Sequence, residues 1–260
     1  MDVKSAAAIV QRAKQSDVKV ISYGRLIPDA DLDYYVSIDP YKVGEQQGRA
    51  LVAALRGKGE GKPSVVMLNG APTDSNAEPY KKGAHSVLDP AVEVVAEYDT
   101  PDWSPDKAQQ EMEQAITAQG KDGFEGVYVA NDGMAGGAIA ALKGAQIDPA
   151  QRPVTGQDAG AAAIQRILAG EQLMTVYQPI KRIAETAADL AVAIASGKQP
   201  PDVAKARVNN GREDVPSVLL DTIAVDKDNI EQTVIKDGFL TAAQICTGAY
   251  AQACREAGIE

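Results

Sequence analysis

Asn131 and Asp158 are the positions where residue type and spacing first suggest chemistry. Each ends an apolar β-type run, Val127-Tyr128-Val129-Ala130-Asn131-Asp132 and Val154-Thr155-Gly156-Gln157-Asp158, and a helical pattern follows each. In an open α/β sheet the carboxyl ends of strands converge on one crevice, where ligands bind. The two side chains are therefore expected to face the same cleft. An amide and a carboxylate, with no His, Cys or Ser beside them, suit hydrogen bonding to a neutral polyhydroxylated ligand better than bond breaking.

Three further clusters follow predicted strands. Trp103, the sole tryptophan, lies in the loop Pro101-Asp102-Trp103-Ser104-Pro105. It can cover a core edge, or offer a flat apolar face to the C–H side of a pyranose while polar groups bond the hydroxyls. Asp74-Ser75-Asn76 can cap a helix, since all three accept from free N–H groups, or bond a ligand. Arg25, in Tyr23-Gly24-Arg25, can fork onto two adjacent hydroxyls or pair with a carboxylate.

Other motifs carry less. Lys58-Gly59-Glu60-Gly61-Lys62-Pro63 has Pro63 where a phosphate loop needs Ser or Thr, and reads as a surface turn. His85, the only histidine, has no Cys or Ser partner in a recognisable motif and reads as a surface residue. Ala135-Gly136-Gly137 lies inside a helical pattern, not at a strand–helix junction, so it reads as a packing surface and not a dinucleotide fingerprint. No cofactor or metal is expected.

The elements that position these residues alternate. Strands are predicted at Val18–Ser22, Tyr35–Ile38, Ser64–Leu68, Val92–Ala96, Gly126–Ala130, Pro153–Gly156, Met174–Tyr177 and Ser217–Val225. Helices are predicted at Ser5–Lys14, Val43–Leu55, Lys81–Leu88, Lys107–Ala118, Met134–Lys143, Ala161–Ala169 and Ile183–Ser196. This β-then-α order implies a parallel sheet with helices on both faces. The first element is a helix with no strand before it, which looks like the middle of a domain.

The chain has 260 residues and a formal charge of -10, with Lys and Arg scattered. That balance disfavours binding to nucleic acid or an anionic membrane. No apolar stretch is long enough to span a bilayer, and no leader pattern opens the sequence. Cys246 and Cys254 would be roughly 12 Å apart on one straight helix, beyond the reach of about 7 Å for a disulfide. Thr247-Gly248 can break the helix and let the chain fold back. A disulfide and two reduced thiols both remain open; a zinc site does not, for want of a second ligand pair.

Several runs, in order, resemble a known family. They are Ser22-Tyr23-Gly24-Arg25-Leu26-Ile27, Gly70-Ala71-Pro72-Thr73-Asp74-Ser75-Asn76-Ala77, Ala130-Asn131-Asp132-Gly133-Met134-Ala135-Gly136-Gly137, Gly156-Gln157-Asp158-Ala159, Met174-Thr175-Val176-Tyr177-Gln178-Pro179-Ile180 and Val234-Ile235-Lys236-Asp237-Gly238-Phe239. They are similar to the xylose-binding proteins of bacterial ABC importers, which are periplasmic binding proteins of the ribose/galactose-binding superfamily. The resemblance implies an α/β fold, periplasmic binding protein type I, with two Rossmann-like lobes of parallel sheets. It implies lobe one at residues 1–39 and 179–218, lobe two at 40–178 and 219–260, and a monosaccharide held between them. Arg25, Asn76, Trp103, Asn131 and Asp158 match sugar-contacting positions, and Asp74 is a further candidate. Gln178 stands where the xylose binders carry Lys, and Gly24 where Asp is common.

The resemblance also implies an importer permease as partner and a periplasmic or extracytoplasmic address. Relative to the family pattern, the first two βα units of lobe one are missing. Lobe one is thus expected to be incomplete, and to be completed by another chain, by self-association, or in a longer precursor. A sugar-sensing domain of a sensor or transcriptional regulator is the alternative with the same fold.

Overall fold

The computed structural model describes residues 5–57 and 61–259. Lys58–Glu60 of the expected surface turn lie outside the described residues. In chain order the elements are α1 (Ala6–Gln15), β1 (Ile21–Tyr23), β2 (Tyr34–Ile38), α2 (Pro40–Leu55), β3 (Ser64–Asn69), α3 (Ala77–Leu88) and β4 (Glu93–Asp99). They continue with α4 (Pro105–Gln119), β5 (Gly126–Val129), α5 (Asp132–Gly144), α6 (Ala161–Leu168), β6 (Thr175–Tyr177), α7 (Ile180–Ala195) and β7 (Ala206–Asn209). The chain then runs through β8 (Asp214–Leu220), β9 (Ile223–Val225), α8 (Ala242–Ile245) and α9 (Ala251–Glu256).

The chain divides into two compact units. The first comprises Met1–Pro40, Thr73–Glu78 and Gln178–Thr222, and the second Tyr41–Pro72, Pro79–Tyr177 and Ile223–Glu260. The first unit holds a sheet in the order β1-β2-β8-β7, in which β1, β2 and β8 run parallel and β7 is antiparallel. Its core gathers Val10, Leu32, Tyr35 and Val215.

The second unit is built on the parallel sheet β4-β3-β5. Strands β3 and β5 are buried on both faces, which explains their unbroken apolar sequences. Leu51 and Leu55 of α2, Met112 of α4, Leu142 of α5 and Phe124 from the loop before β5 pack around them. Each such side chain, fully buried, contributes about 1.5–3 kcal/mol. A second cluster joins α6, the antiparallel pair β6–β9 and the C-terminal helices through Ile164, Ile167, Tyr177, Val225 and Ile245. Cys246 and Cys254 form a disulfide with Cα atoms 5.7 Å apart. The chain breaks helix after Ile245 and turns at Gly248, whose φ is +54°, bringing the two sulfurs together.

Several strands differ from expectation, and four of the differences have a local reason. β1 starts late because the Val20 N–H donates to the Asp33 carboxylate and its carbonyl accepts from Asp33 and Tyr34. Pro153–Gly156 is not a strand; only Val154 bridges Val127. Beyond it side chains replace the ladder: Thr155 Oγ1 bonds both the N–H and the carbonyl of Val129. Ser217–Val225 splits into β8, in the first unit's sheet, and β9, in the second unit. β7 escapes sequence reading because it is a four-residue edge strand with only alternate residues partly buried.

Candidate functional site

In the second unit two parallel strand ends and one isolated parallel bridge lead to the expected residues. β4 leads into the one-turn helix Pro101–Trp103, β5 into Asn131, and the Val154 bridge into Asp158. Asn131 is the N-cap of α5. Its Oδ1 accepts from the Met134 N–H at 2.9 Å, which leaves its amide NH2 as the donor it can offer. Pro105, just past Trp103, packs over the first turn of α5, so that a Cβ built on Gly133 falls 3.5 Å from Pro105 Cγ and 3.7 Å from Asn131 Oδ1.

Trp103 and the preceding Asp102 both adopt left-handed backbone, with φ of 56° and 61°. The turn is fixed by Lys107, which donates to the Asp102 carboxylate at 2.7 Å, and by the Thr100 N–H on the Asn69 carbonyl at 3.1 Å. The half-buried indole meets the Tyr80 ring edge-on, with centroids 6.2 Å apart. The Tyr80 hydroxyl accepts from Gln157 Nε2 at 3.2 Å, and the same amide reaches Asp158 Oδ1 at 3.2 Å. Trp103, Tyr80, Gln157 and Asp158 thus form one connected series.

Asp158 is exposed, and its φ of 100° is followed by 52° at Ala159. Two consecutive non-glycine residues in this region cost about 1–3 kcal/mol each and persist only where surrounding bonds fix them. Here three successive N–H groups are tied down. Asp158 donates to the Val176 carbonyl at 2.9 Å, Ala159 to Thr175 Oγ1 at 3.1 Å, and Gly160 to Asp132 Oδ2 at 3.1 Å.

The first unit brings Arg25, Asp74 and Asn76 together. Gly24, with φ of +73°, ends β1 in a turn, and its carbonyl accepts from Asn76 Nδ2 at 3.1 Å. Arg25 forks onto the buried Asp74 carboxylate through Nε and Nη2, with the shortest contact 2.9 Å. Asp74 Oδ1 also accepts from the Asn76 N–H at 3.0 Å, a local turn just ahead of α3. Gln178 is half-buried just before α7.

Sequence reasoning missed a buried polar set behind these residues. Gln47 donates to the carbonyls of Val129 and Gly156, both at 3.0 Å, joining the two site loops. Asp132 is buried and bonded by Gln172 and Thr175, both at 2.9 Å. Burial pushes its carboxyl up to about 7, against those hydrogen bonds. The visible signal was the adjacency of Asp132 to Asn131. His85 also has partners the sequence did not show, Asp89 at 2.7 Å and Glu97 at 3.0 Å. Among the described residues no His, Cys, Asp or Glu group could hold a metal ion, and no helix is long and apolar enough to cross a membrane.

The sequence profile of the periplasmic binding protein domain matches residues 1–199. The chain belongs to the periplasmic binding protein domain family. Its architecture is the type I fold of that family, α/β with parallel sheets. The chain is 46% identical over 242 residues to the D-xylose-binding periplasmic protein of Haemophilus influenzae, covering 91% of this chain and 70% of that protein. It is 44% identical over 236 residues to the Escherichia coli protein of the same description, covering 89% and 69%. Among solved structures it is similar to the carbohydrate transporter solute binding protein of Chloroflexus aurantiacus in complex with D-glucose. That match has a TM-score of 0.84 and 31% identity, covering 94% of this chain and 78% of the other.

Proposed function

We propose that this chain is the solute-binding component of a bacterial ABC sugar importer, capturing D-xylose or a related monosaccharide in the periplasm without chemical turnover. The observation that carries the reading lies in the second unit. An indole, an amide donor and an oriented carboxylate follow β4, β5 and the Val154 bridge of one parallel sheet, linked through Pro105, Tyr80 and Gln157. Trp103 supplies a face for the sugar's C–H groups, the Asn131 amide donates to a hydroxyl, and Asp158 accepts from one or two. Arg25, Asp74, Asn76 and Gln178 are the first unit's candidates for the remaining hydroxyls. The bound form then meets the importer permease. The relatives that bind D-xylose support the pentose as first choice.

Titration calorimetry with D-xylose and other aldoses tests this. The expected result is saturable heat with one sugar recovered unchanged. Trp103→Ala is expected to weaken affinity about tenfold, the scale of a lost aromatic contact, and to remove any sugar-dependent tryptophan fluorescence, because Trp103 is the only tryptophan. Absence of heat with every aldose tested would overturn the reading.

A further inference from the structure

The Asp132 carboxylate meets only donors. Gln172 Nε2 reaches Oδ1 at 2.9 Å, while the Thr175 hydroxyl at 2.9 Å and the Gly160 N–H at 3.1 Å share Oδ2. To reverse its role Thr175 would have to accept from both Asp132 and the Ala159 N–H, already 3.1 Å away, and turn its own proton away from the carboxylate. Gln172 is likewise oriented, because its Oε1 accepts from Arg166 Nε at 2.9 Å. The arrangement is therefore built for an ionised carboxylate. The fit is close: a Cβ built on Gly156 falls 2.2 Å from Asp132 Oδ1 and 2.4 Å from Gln172 Nε2.

Two of the three N–H groups that hold the left-handed turn at Asp158 and Ala159 depend on this set, Gly160 directly and Ala159 through Thr175. We propose that Asp132 is a positioning residue for sugar binding: it never touches the ligand, but its carboxylate holds the strained turn that presents Asp158. This rests on the sugar-binding reading of Asp158 given above.

A consequence is pH dependence. A protonated Asp132 has one donor too many in this ring, so the turn loosens and affinity falls on acidification. The charged groups that face Asp132 are Asp158 on the turn and Arg166 of α6, whose Nη2 donates to the Asp132 carbonyl at 2.8 Å. Gln172, just before β6, and Thr175, its first residue, are uncharged.

The test uses the whole chain with Asp132→Asn and, separately, Thr175→Val, each checked for folding by circular dichroism. Amide hydrogen exchange without sugar is expected to speed up about tenfold or more at Ala159 and Gly160, the scale of losing one charge-assisted bond. D-xylose affinity of the unaltered chain is expected to fall several-fold between about pH 8.5 and about pH 6 as Asp132 takes up its proton. Asp132→Asn should be weak at both and lose that dependence. Unchanged exchange and unchanged affinity in both variants would overturn the proposal. If the unaltered chain binds no sugar, the sugar reading fails by itself, and the exchange data still decide whether Asp132 holds the turn.

Discussion

The benzo edge of the Trp103 indole occupies the place where residue 70 would carry a Cβ. A Cβ built on Gly70 falls 2.1 Å from Cη2, 2.3 Å from Cζ2 and 2.6 Å from Cζ3. Tyr80 meets the same indole edge-on. The backbone at the end of β3 and one phenol ring thus fix the pose of the aromatic face assigned to the sugar.

Gly70→Ala follows directly. Its backbone lies outside the left-handed region, so alanine is conformationally acceptable and the fault is purely steric. Overpacking of this kind costs about 1–3 kcal/mol. The indole is expected to leave its seat, with a red-shifted emission and a loss of sugar affinity comparable to that of Trp103→Ala. Emission and affinity equal to the unaltered chain would show that the contact does not set the pose.

The Arg25–Asp74 pair yields a stability prediction. Asp74 is buried and accepts from three N–H groups, two on Arg25 and one on Asn76. Asp74→Asn removes the charge and sets an NH2 against those donors. Hydrogen bonds to a charged group contribute about 1.5–3 kcal/mol. The Arg25 side chain is 39% exposed, so solvent screening reduces the loss toward the lower end of that range. Urea unfolding is expected to show a lower midpoint with an unchanged slope; an unmoved midpoint would remove the pair from the stability account.

What the sequence made legible and what it hid divide along physical lines. β3 and β5 were readable because parallel strands covered on both faces are apolar throughout. Asn131 and Asp158 were readable because a polar residue closing an apolar run is a local signal. The Arg25–Asp74 bond was not, since 49 residues separate the partners and each residue alone suits a ligand equally well. Gln47, Gln157 and Gln172 were invisible because a buried glutamine carries no periodic signature and is defined only by the carbonyls and hydroxyls around it. The left-handed backbone at Asp158 and Ala159 was hidden because neither residue is glycine, and the bonds that hold it come from Thr175, Val176 and Asp132.

The first unit invites association. β1 is an edge strand of its sheet among the described residues, and Tyr23 on it is 50% exposed. On the helices, Ile9 of α1 is 73% exposed and Val192 of α7 64%. An open strand edge beside exposed apolar side chains is a template for pairing. Sedimentation velocity is expected to show a coefficient that rises with concentration, and Ile9→Lys together with Val192→Lys should suppress the rise. A single monomeric species at all concentrations would dismiss self-association.

Stability should fall as pH rises across the mildly acidic to neutral range, for reasons lodged in the second unit. Burial lowers the pKa of His85, but its hydrogen bonds to Glu97 and Asp89 outweigh that and raise it. A raised histidine stabilises fully below its unfolded value of about 6.5 and loses that contribution as pH rises through the folded value. Asp132 acts in the same direction by a different route. Burial lifts its carboxyl to about 7, so between about pH 4 and 7 the folded state holds a proton that the unfolded state has released, and stability declines with each increment of pH. Burial raises Glu111 as well, against its hydrogen bond from Thr100. Melting temperature is therefore expected to drop between about pH 5 and about pH 8. His85→Gln should flatten the upper part of that curve and Asp132→Asn the lower part. A melting temperature that rises over the same interval would contradict both assignments.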